Sequence, residues 1–370
     1  MITAMTEQET LQRTPLFEEH GLLKAKMVPF GGWQMPLLYE GILAEYQHTR
    51  RDVTIFDTCH MGEFTIAGDC QRSGLDQMVT SAIKDMPLKS CRYGLILNNN
   101  GGTVDDLIVF RLDAQQWIIV VNGATTKKDR EHFKKNLTSQ TTFQDISLQM
   151  GKIDIQGPRS REVLNSLNPE IKKLDYYTFD FFKILGEYVL ISRTGYTGEL
   201  GYEIFYPWGK MRDLWRELLK NPLVKPAGLG ARDVLRLEMG YSLYGHELEE
   251  DISPLEAGLN RFIDWNKEFI GKKALLEQKD QGPNRTLTGL LSKTRRSPRA
   301  RHKIYASSGE EIGVVTSGSF SPSEECGIGL GFIKTGQAQK GQDVCFGDQD
   351  NKMEAVICGR SFFKQGSLKN

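Results

Sequence analysis

The stretch TVDDLIVFRL, residues 103–112, is followed after two residues by QQWIIVVN, residues 115–122. Both are rich in β-branched and aromatic residues, which favours strands. Two strand-like runs in succession depart from the regular strand–helix–strand rhythm of a doubly wound sheet. This pair therefore predicts a fold of the α+β class.

The same irregular mixture continues on both sides of the pair. The other strand candidates are MGEFTIAG (61–68), KIDIQG (152–157), EYVLISRTG (187–195) and YEIFYP (202–207), and the helix candidates are YEGILAEYQHTRRD (39–52), TKKDREHFKKNL (126–137), RSREVLNSL (159–167) and KMRDLWRELLK (210–220). The last helix carries apolar residues at helical spacing, which predicts a core-facing side, at Met211, Leu214, Trp215, Leu218 and Leu219. Strands and helices thus interleave without a fixed order.

A domain boundary is predicted near residues 278–286, where charged and turn residues separate a helical pattern from a strand-like one. Beyond it, the segments GEEIGVVTSGSF, GIGLGFI and QDVCFG alternate with glycine turns. Short strands at such spacing are typical of a small β-barrel or a sandwich. The sequence therefore predicts a separate C-terminal β domain.

The composition of the chain excludes several functional classes. Lys plus Arg and Asp plus Glu both number 47, so no global field recruits nucleic acid or a membrane surface. The six cysteines and six histidines are scattered without metal-ligand spacing, which predicts free thiols and no metal. The first twelve residues lack the pattern of a leader, and no run is long enough to span a membrane. We expect a cytoplasmic protein, although a mature organellar protein would have the same features.

Two adjacent carboxylates head the opening strand. Strand alternation puts Asp105 and Asp106 on opposite faces, each at the start of an apolar row. In an interior strand at least one of them should be desolvated, which raises its pKa and suits it to proton transfer or to binding a buried donor. The alternative is that both close the turn after NNNGG by accepting backbone N–H bonds.

The segment SRTGYTGELGYEIF, residues 192–205, is the second candidate for a site. Its glycines fall three apart and permit tight turns and close ligand approach. Flat faces at Tyr196 and Tyr202, with acceptors at Glu199 and Glu203, would serve a planar heterocycle with a donor edge. The alternative is a glycine-rich hairpin with exposed tyrosines.

Two arginine-bearing segments complete the candidates. In residues 226–248 a predicted helix carries Arg232 and Arg236 four apart, either as a fork for a ligand carboxylate or with Asp233 paired to Arg236 inside the helix. The segment SKTRRSPRARHK, residues 292–303, holds six Lys or Arg and no acid. It is either a solvated loop or a local site for an anionic ligand or an acidic partner.

These segments, together with RTPLF, FGGWQMP and FDTCHMGEF, closely resemble the aminomethyltransferases (T-proteins) of the glycine cleavage system. The resemblance runs from Arg13 to about Gly366. It implies three lobes in a cloverleaf around a central folate channel, with residues 1–60 and 145–275 in one lobe, 61–144 in a second, and a small C-terminal β-barrel over 285–366. It further implies transfer of an aminomethyl group from the lipoyl arm of the H-protein to tetrahydrofolate, with release of ammonia and formation of 5,10-methylenetetrahydrofolate.

Matching positions carry the family's roles onto this chain. Asp106 matches the essential acidic residue beside the folate, and Asp105 keeps the turn-closing role. Glu203 matches the carboxylate that accepts from the donor edge of the pterin. The positions matching folate-binding residues are Met61, Tyr93, Asn122, Tyr196, Glu203, Arg232, Tyr241 and Arg299. Asp106→Asn should therefore cost far more activity than Asp105→Asn.

Two other readings stay open. A folate-dependent demethylase or methyltransferase of the same superfamily would use the folate pocket with a different donor. A noncatalytic folate-binding protein would retain the pocket alone, although the KGCYxGQE-like motif of relatives that serve iron–sulfur cluster assembly is absent. Turnover with aminomethylated H-protein distinguishes them.

Overall fold

The structure is a computed structural model that describes residues 11–348 and 350–369. Most of the segment used above to judge a leader, residues 1–10, lies outside the described residues. The described strands form three open sheets and one closed barrel. None of the described helices is long and apolar enough to cross a membrane.

The opening pair of strands lies in a five-stranded sheet with the order β6–β7–β8–β5–β9. TVDDLIVFRL forms β7 and QQWIIVVN forms β8, and the two are antiparallel neighbours. The bounds are β5 Gly62–Ala67, β6 Ser90–Leu97, β7 Thr103–Arg111, β8 Gln116–Val121 and β9 Thr142–Asp145. The predicted α+β class is confirmed in this sheet, because neighbours along the chain pair directly.

A six-stranded sheet has the order β11–β12–β13–β10–β4–β14. Its strands are β4 Val53–Asp57, β10 Met150–Gln156, β11 Phe179–Ile184, β12 Glu187–Ser192, β13 Gly201–Pro207 and β14 Val224–Pro226. A three-stranded sheet precedes it in the chain, with β1 Gln12–Arg13, β2 Lys26–Phe30 and β3 Trp33–Leu38. Both sheets mix one parallel pair with antiparallel ones.

The C-terminal strands close into a barrel in the order β15–β18–β17–β16–β19–β20. Their bounds are β15 Arg285–Ser292, β16 Lys303–Ala306, β17 Glu311–Ser321, β18 Cys326–Lys334, β19 Asp343–Asp348 and β20 Asn351–Cys358. Closure pairs the first strand of the barrel with the last, which protects the sheet edges. The predicted C-terminal β-barrel is confirmed.

Helices cover the sheets. They are α1 Phe17–Leu22, α2 Ile42–Arg51, α3 Leu75–Met78, α4 Thr126–Asn136, α5 Ser160–Leu167, α6 Met211–Leu219, α7 Leu229–Glu238 and α8 Lys272–Gln281, with short 3-10 turns at Pro169–Lys173, Trp208–Lys210 and Asn260–Phe262. Met211, Leu214, Trp215 and Leu218 of α6 are buried against the six-stranded sheet, as their spacing predicts. All six cysteines are free thiols.

One buried apolar cluster joins the barrel to the rest of the molecule. It brings together Leu95 and Leu97 of β6, Leu237 of α7, and Leu330 and Phe332 of β18. From the membership of the sheets we propose the lobes stated above: 1–60 with 145–275, then 61–144, then the barrel domain 285–366.

Residues 361–368, which we call the C-terminal strap, return from the barrel to the six-stranded sheet. Glu199 accepts hydrogen bonds from the Ser367 amide at 2.9 Å and the Ser367 hydroxyl at 2.5 Å. Arg50 bridges Glu199 and Glu238 with ion pairs of 2.7 Å each. The strap therefore connects the barrel domain to the lobe of the six-stranded sheet through the buried Glu199 carboxylate.

Candidate active site

Strand β7 presents its two aspartates to different surroundings, as alternation predicts. Leu107 and Val109, on the Asp105 face, lie in the apolar cluster between the five-stranded sheet and helices α3 and α4. Phe110, on the Asp106 face, lies in the cluster shared with the six-stranded sheet. Asp106 therefore points toward the space between the two large sheets.

Two of the predicted site residues contact the Asp106 carboxylate directly. The Tyr93 hydroxyl on β6 donates to Oδ2 at 3.0 Å, and Asn122 Nδ2, just after β8, donates to Oδ1 at 2.8 Å. Burial, and then the Asp105 charge, raise the pKa of Asp106 to about 7. Near neutral pH the carboxyl group can therefore both accept and donate a proton.

The turn-closing role expected for Asp105 is wrong. Its side chain is fully buried and accepts from the Asn122 amide NH at 3.1 Å, from Asn122 Nδ2 at 2.9 Å and from the Thr125 hydroxyl at 2.8 Å. The turn is closed by Asn98 instead, which accepts from the amides of Asn100 and Gly102. Asp105 is thus the carboxylate that holds the Asn122 amide against Asp106.

A third carboxyl group, Asp129 of α4, lies behind Asp105. It is fully buried, and in its protonated form it donates a hydrogen bond to the Asp105 carboxylate. Burial, and then the Asp105 charge, raise the pKa of Asp129 far above its usual value. Asp129 is therefore neutral near pH 7. Burial also raises the pKa of Asp105, whereas the hydrogen bonds from Asp129, Asn122 and Thr125 lower it. In TKKDREHF this acid has the pattern of an ordinary first helical turn, so sequence reasoning missed it.

Aromatic and guanidinium groups form the opposite side of the site. Tyr196 and Tyr241 stack with ring centres 5.6 Å apart, and the Arg232 guanidinium lies 5.2 Å from the Tyr196 ring. Burial raises the pKa of the Tyr196 phenol, the Arg236 charge lowers it and the Asp106 charge raises it. Arg232 is fixed by a 2.6 Å ion pair with Asp154.

Glu203 is held in a buried charge network rather than left free. Lys152 Nζ donates to Glu203 Oε1 and, at 3.0 Å, to Asp154, while the Thr194 hydroxyl donates to the other Glu203 oxygen. Any ligand donor at Glu203 must therefore share these lone pairs. Lys152 is only 1% exposed and was not among the predicted residues. The one available signal was a lysine inside the apolar strand KIDIQ.

The glycines of residues 192–205 serve the protein rather than a ligand. A Cβ added at Gly195 or Gly201 would come 2.1 Å from the Gln156 side-chain oxygen, so both glycines make room for that amide. Tyr202 is fully buried in the core, and Glu199 binds the C-terminal strap. The expectation that Tyr202 and Glu199 face a ligand is therefore wrong.

The two arginines of α7 have separate functions. Arg236 pairs with Asp233 at 2.7 Å, which is the intrahelical ion pair considered above, and also with Glu247 at 3.0 Å. Arg232 instead reaches across to Asp154 on β10 and to the Tyr196 ring. They do not form a common fork.

Two predicted residues lie outside this network. Met61 packs against the cluster that contains Phe110, on the Asp106 face of the sheet. Arg299 is exposed on the barrel, where it lines a surface cavity of about 430 Å³ with Arg295, Arg296 and His302. Among the described residues, no hydrogen bond, ion pair or ring contact joins Arg299 to Asp106 or its partners.

Seven of the predicted residues are partly exposed, which distinguishes them from the fully buried core around them. They are Met61, Tyr93, Asp106, Asn122, Tyr196, Arg232 and Tyr241. Polar groups, two stacked rings and a carboxyl group with a pKa of about 7 are thus each partly accessible to solvent. Within residues 11–348 and 350–369, no three His, Cys, Asp or Glu side chains are grouped to hold a metal ion.

Comparison with known proteins matches nearly the whole chain. Residues 16–267 match the family described as the GCVT N-terminal domain, and residues 285–364 match the glycine cleavage T-protein C-terminal barrel domain. The aminomethyltransferases of Pseudothermotoga lettingae and Desulforamulus reducens are 39% and 38% identical, covering 97% and 96% of this chain and 100% and 99% of those proteins. The crystal structure of the glycine cleavage system aminomethyltransferase T from Bartonella henselae aligns with a TM-score of 0.91 at 31% identity, covering 96% of this chain and 99% of that one.

Proposed function

The chain belongs to the glycine cleavage T-protein family of aminomethyltransferases, and we propose that it moves an aminomethyl group from the lipoyl arm of the H-protein to tetrahydrofolate. Ammonia and 5,10-methylenetetrahydrofolate are the products. The observation that carries the proposal is Asp106, a carboxyl group with a pKa of about 7, held by Tyr93 and Asn122 beside a tyrosine-lined space.

The proton balance of this reaction explains why such a carboxyl group is needed. Forming the methylene bridge removes one proton from N5 and one from N10 of the folate. The lipoyl sulfur and the departing amine take up two protons, so the number is conserved but the protons must move. Asp106 accepts a proton from a folate nitrogen and returns it to a leaving group, a contribution that is typically ~10²–10⁴-fold in rate.

The residues around Asp106 are proposed to hold the folate. Tyr196 and Tyr241, stacked on each other, and Met61 provide apolar surface for the pterin and the ring that follows it. Glu203 accepts from the pterin donor edge. Burial raises the pKa of Glu203, and the Lys152 charge opposes that rise. Arg232 is pre-oriented by Asp154, so little side-chain entropy is lost on binding.

The H-protein is the proposed aminomethyl donor. The barrel segment 292–303 offers exposed cations at Arg295, Arg296 and Arg299, whereas Lys293 is paired with Asp343 and Glu354. Exposed surface guanidiniums suit an acidic protein face, and Arg299 retains its proposed role toward the folate channel.

The deciding experiment incubates the purified chain with aminomethyl-lipoyl H-protein and tetrahydrofolate and measures ammonia and methylenetetrahydrofolate. Both products should appear, and Asp106→Asn should abolish most of the turnover. Turnover only with small methylated nitrogen or sulfur donors would favour the demethylase reading. Folate binding with no turnover on any donor would favour a noncatalytic protein.

A further inference from the structure

A buried acid between the two large sheets has no hydrogen-bond partner. Glu63 of β5 is fully buried, and neither of its carboxyl oxygens is bonded to another group in the described part of the chain. Burial raises the pKa of Glu63 well above its usual value, the Lys152 charge lowers it, and the Asp145 and Glu203 charges raise it. Glu63 therefore keeps its proton far above the pH at which an exposed glutamate loses it.

Strand pairing places Glu63 and Lys152 on facing sides of this interface. On the five-stranded sheet, Glu63 lies directly opposite Val120 of β8, so the two side chains share a face. On the six-stranded sheet, Lys152 lies directly opposite Phe205 of β13 in the same way. Val120 and Phe205 pack in one apolar cluster between the sheets. The Glu63 carboxyl group and the Lys152 ammonium group therefore point into the same buried layer.

The Lys152 ammonium group is already bound to two other acids. It donates to Asp154 at 3.0 Å and to Glu203 Oε1, while Thr194 donates to the other Glu203 oxygen. Asp154 has a second cation, Arg232, at 2.6 Å. A pterin donor edge that binds Glu203 through paired N–H groups must compete with Lys152 for the Oε1 lone pairs. The displaced ammonium N–H then needs another acceptor, because a buried charged donor without one costs more than an ordinary hydrogen bond contributes.

We propose that ligand binding at Glu203 shifts the Lys152 ammonium group toward Glu63 and that Glu63 then gives up its proton, so that folate binding is coupled to proton release. The inference rests on the proposed folate function. The neutral Glu63 carboxyl group becomes a carboxylate, a buffer base takes the proton, and Lys152 stays a cation throughout. Glu63 is thus a positioning residue, which acts on the ligand through Lys152 and Glu203.

This coupling fixes the sign of the pH dependence. A group whose pKa is lower in the complex than in the free protein releases a proton on binding, and affinity then rises with pH between the two values. The pKa of Glu63 in the free protein is raised, so the dissociation constant should fall as pH rises through the neutral range. The limit for one proton is about tenfold per pH unit.

The experiment measures proton release by isothermal titration calorimetry of the full-length chain with tetrahydrofolate, in buffers of equal pH and different ionisation enthalpy. All proteins carry Asp106→Asn, because Asp106, with a pKa of about 7, would add its own protons to the signal. Glu63→Gln is the test variant, since the amide keeps the size and an acceptor oxygen but has no proton to release. Glu131→Gln is the matched control, because Glu131 is an exposed glutamate of α4.

We expect the Asp106→Asn parent and the Glu131→Gln control to release roughly 0.5 to 1 proton per folate near pH 7.5, and Glu63→Gln less than about 0.2. From pH 7 to pH 8 the dissociation constant of the parent should fall about three- to tenfold, and that of Glu63→Gln less than about twofold. 6-Methyltetrahydropterin, which carries the same donor edge, should release the same proton.

An infrared difference spectrum tests the coupling without the Glu63 substitution. Ligand binding to the parent should remove the carbonyl band of one protonated carboxyl group, and an unchanged band would overturn the proposal. Thermal melting checks that Glu63→Gln folds, and if it does not, the infrared result decides.

Equal proton release by the parent and by Glu63→Gln, with tetrahydrofolate bound to both, would overturn the Lys152 shift and leave the proposed function intact. Release with tetrahydrofolate but not with the tetrahydropterin would separate the ionisation from the donor edge and would equally overturn it. If the wild type binds neither ligand, the proposed function itself fails, and the coupling with it.

Discussion

Replacing Asp105 by asparagine should move the pH profile of the enzyme rather than abolish its activity. Asp105 is buried and shares the Asn122 amide with Asp106. The Asp105 charge is one of the two causes that raise the pKa of Asp106 to about 7. The asparagine side chain has the same size and one acceptor oxygen but no charge, so the Asp106 carboxyl group should ionise at lower pH.

The geometry sets the size of the shift. The Asp105 and Asp106 oxygens lie 2.9 and 2.8 Å from the same amide nitrogen, which puts them no more than about 6 Å apart. One full charge at that distance contributes about 3 kcal/mol at an effective dielectric constant of about 20, or roughly 2 pKa units. Since three hydrogen bonds already spread the Asp105 charge, we expect the Asp106 pKa to fall by about 1 to 2 units.

The assay is kcat/KM for tetrahydrofolate as a function of pH, with saturating aminomethylated H-protein. If Asp106 accepts the first proton, the acidic limb reports its pKa in the free enzyme. The limb should lie near pH 7 in the wild type and about 1 to 2 units lower in Asp105→Asn.

Asp129→Asn is the matched control for this variant. Asp129 is already neutral near pH 7, so exchange for a neutral amide should leave the acidic limb within about 0.3 unit of the wild type. If the acidic limb of the pH profile stays in place in Asp105→Asn, or moves equally in Asp129→Asn, then the Asp105 charge is not what raises the pKa of Asp106.

Further variants test the other parts of the site. Asp106→Asn should lower turnover by at least ~10²-fold while folate affinity changes less than about tenfold; near-normal turnover would exclude the proton-transfer role. The same variant should be more stable above neutral pH, by up to about 4 kcal/mol, because the wild-type carboxyl group must ionise at a folded pKa raised to about 7. Denaturant melts at pH 5 and pH 8 measure the difference, which should fall to roughly 1.5 kcal/mol at pH 5 and vanish only below the unfolded pKa of about 4. Glu203→Ala should weaken tetrahydrofolate binding by roughly 1–3 kcal/mol, since the pterin donor edge loses its acceptor; an unchanged dissociation constant contradicts that contact. Lys152→Met should cost about 3–5 kcal/mol of unfolding free energy, because Glu203 stays buried without its cation and Asp154 keeps only Arg232; a melting temperature equal to that of the wild type would contradict it.

The sequence predicts those parts of the site that depend on the pattern of residues within one strand or helix. Alternation along β7 separated the two aspartate faces, and the family resemblance selected Asp106. Asp105 was misjudged because turn chemistry after NNNGG offered a local explanation, while the true partners, Asn122 and Thr125, follow the next strand. Asp129 lies still farther along the chain, in a helix whose pattern is ordinary.

The same limit explains the errors around residues 192–205. Spacing correctly predicted close approach at the glycines but could not say that Gln156, from another strand, fills the space. Tyr196 and Tyr202 lie in the same glycine-rich segment, so the sequence does not distinguish them. Strand β13 places the Tyr202 side chain in the core. Which neighbours a side chain meets is decided by tertiary pairing, and one sequence carries little information on it.

The C-terminal strap also sets the order of events during synthesis. Glu199 and its partner Ser367 are separated by 168 positions, so a ribosome adding about 5–20 residues per second makes them at least about 8 s apart. During that interval Glu199 is paired with Arg50 but lacks its two hydrogen bonds from Ser367. The loop before β13, which carries both Tyr196 and Glu199, therefore acquires its hydrogen bonds to Ser367 only after all the barrel strands have been synthesised.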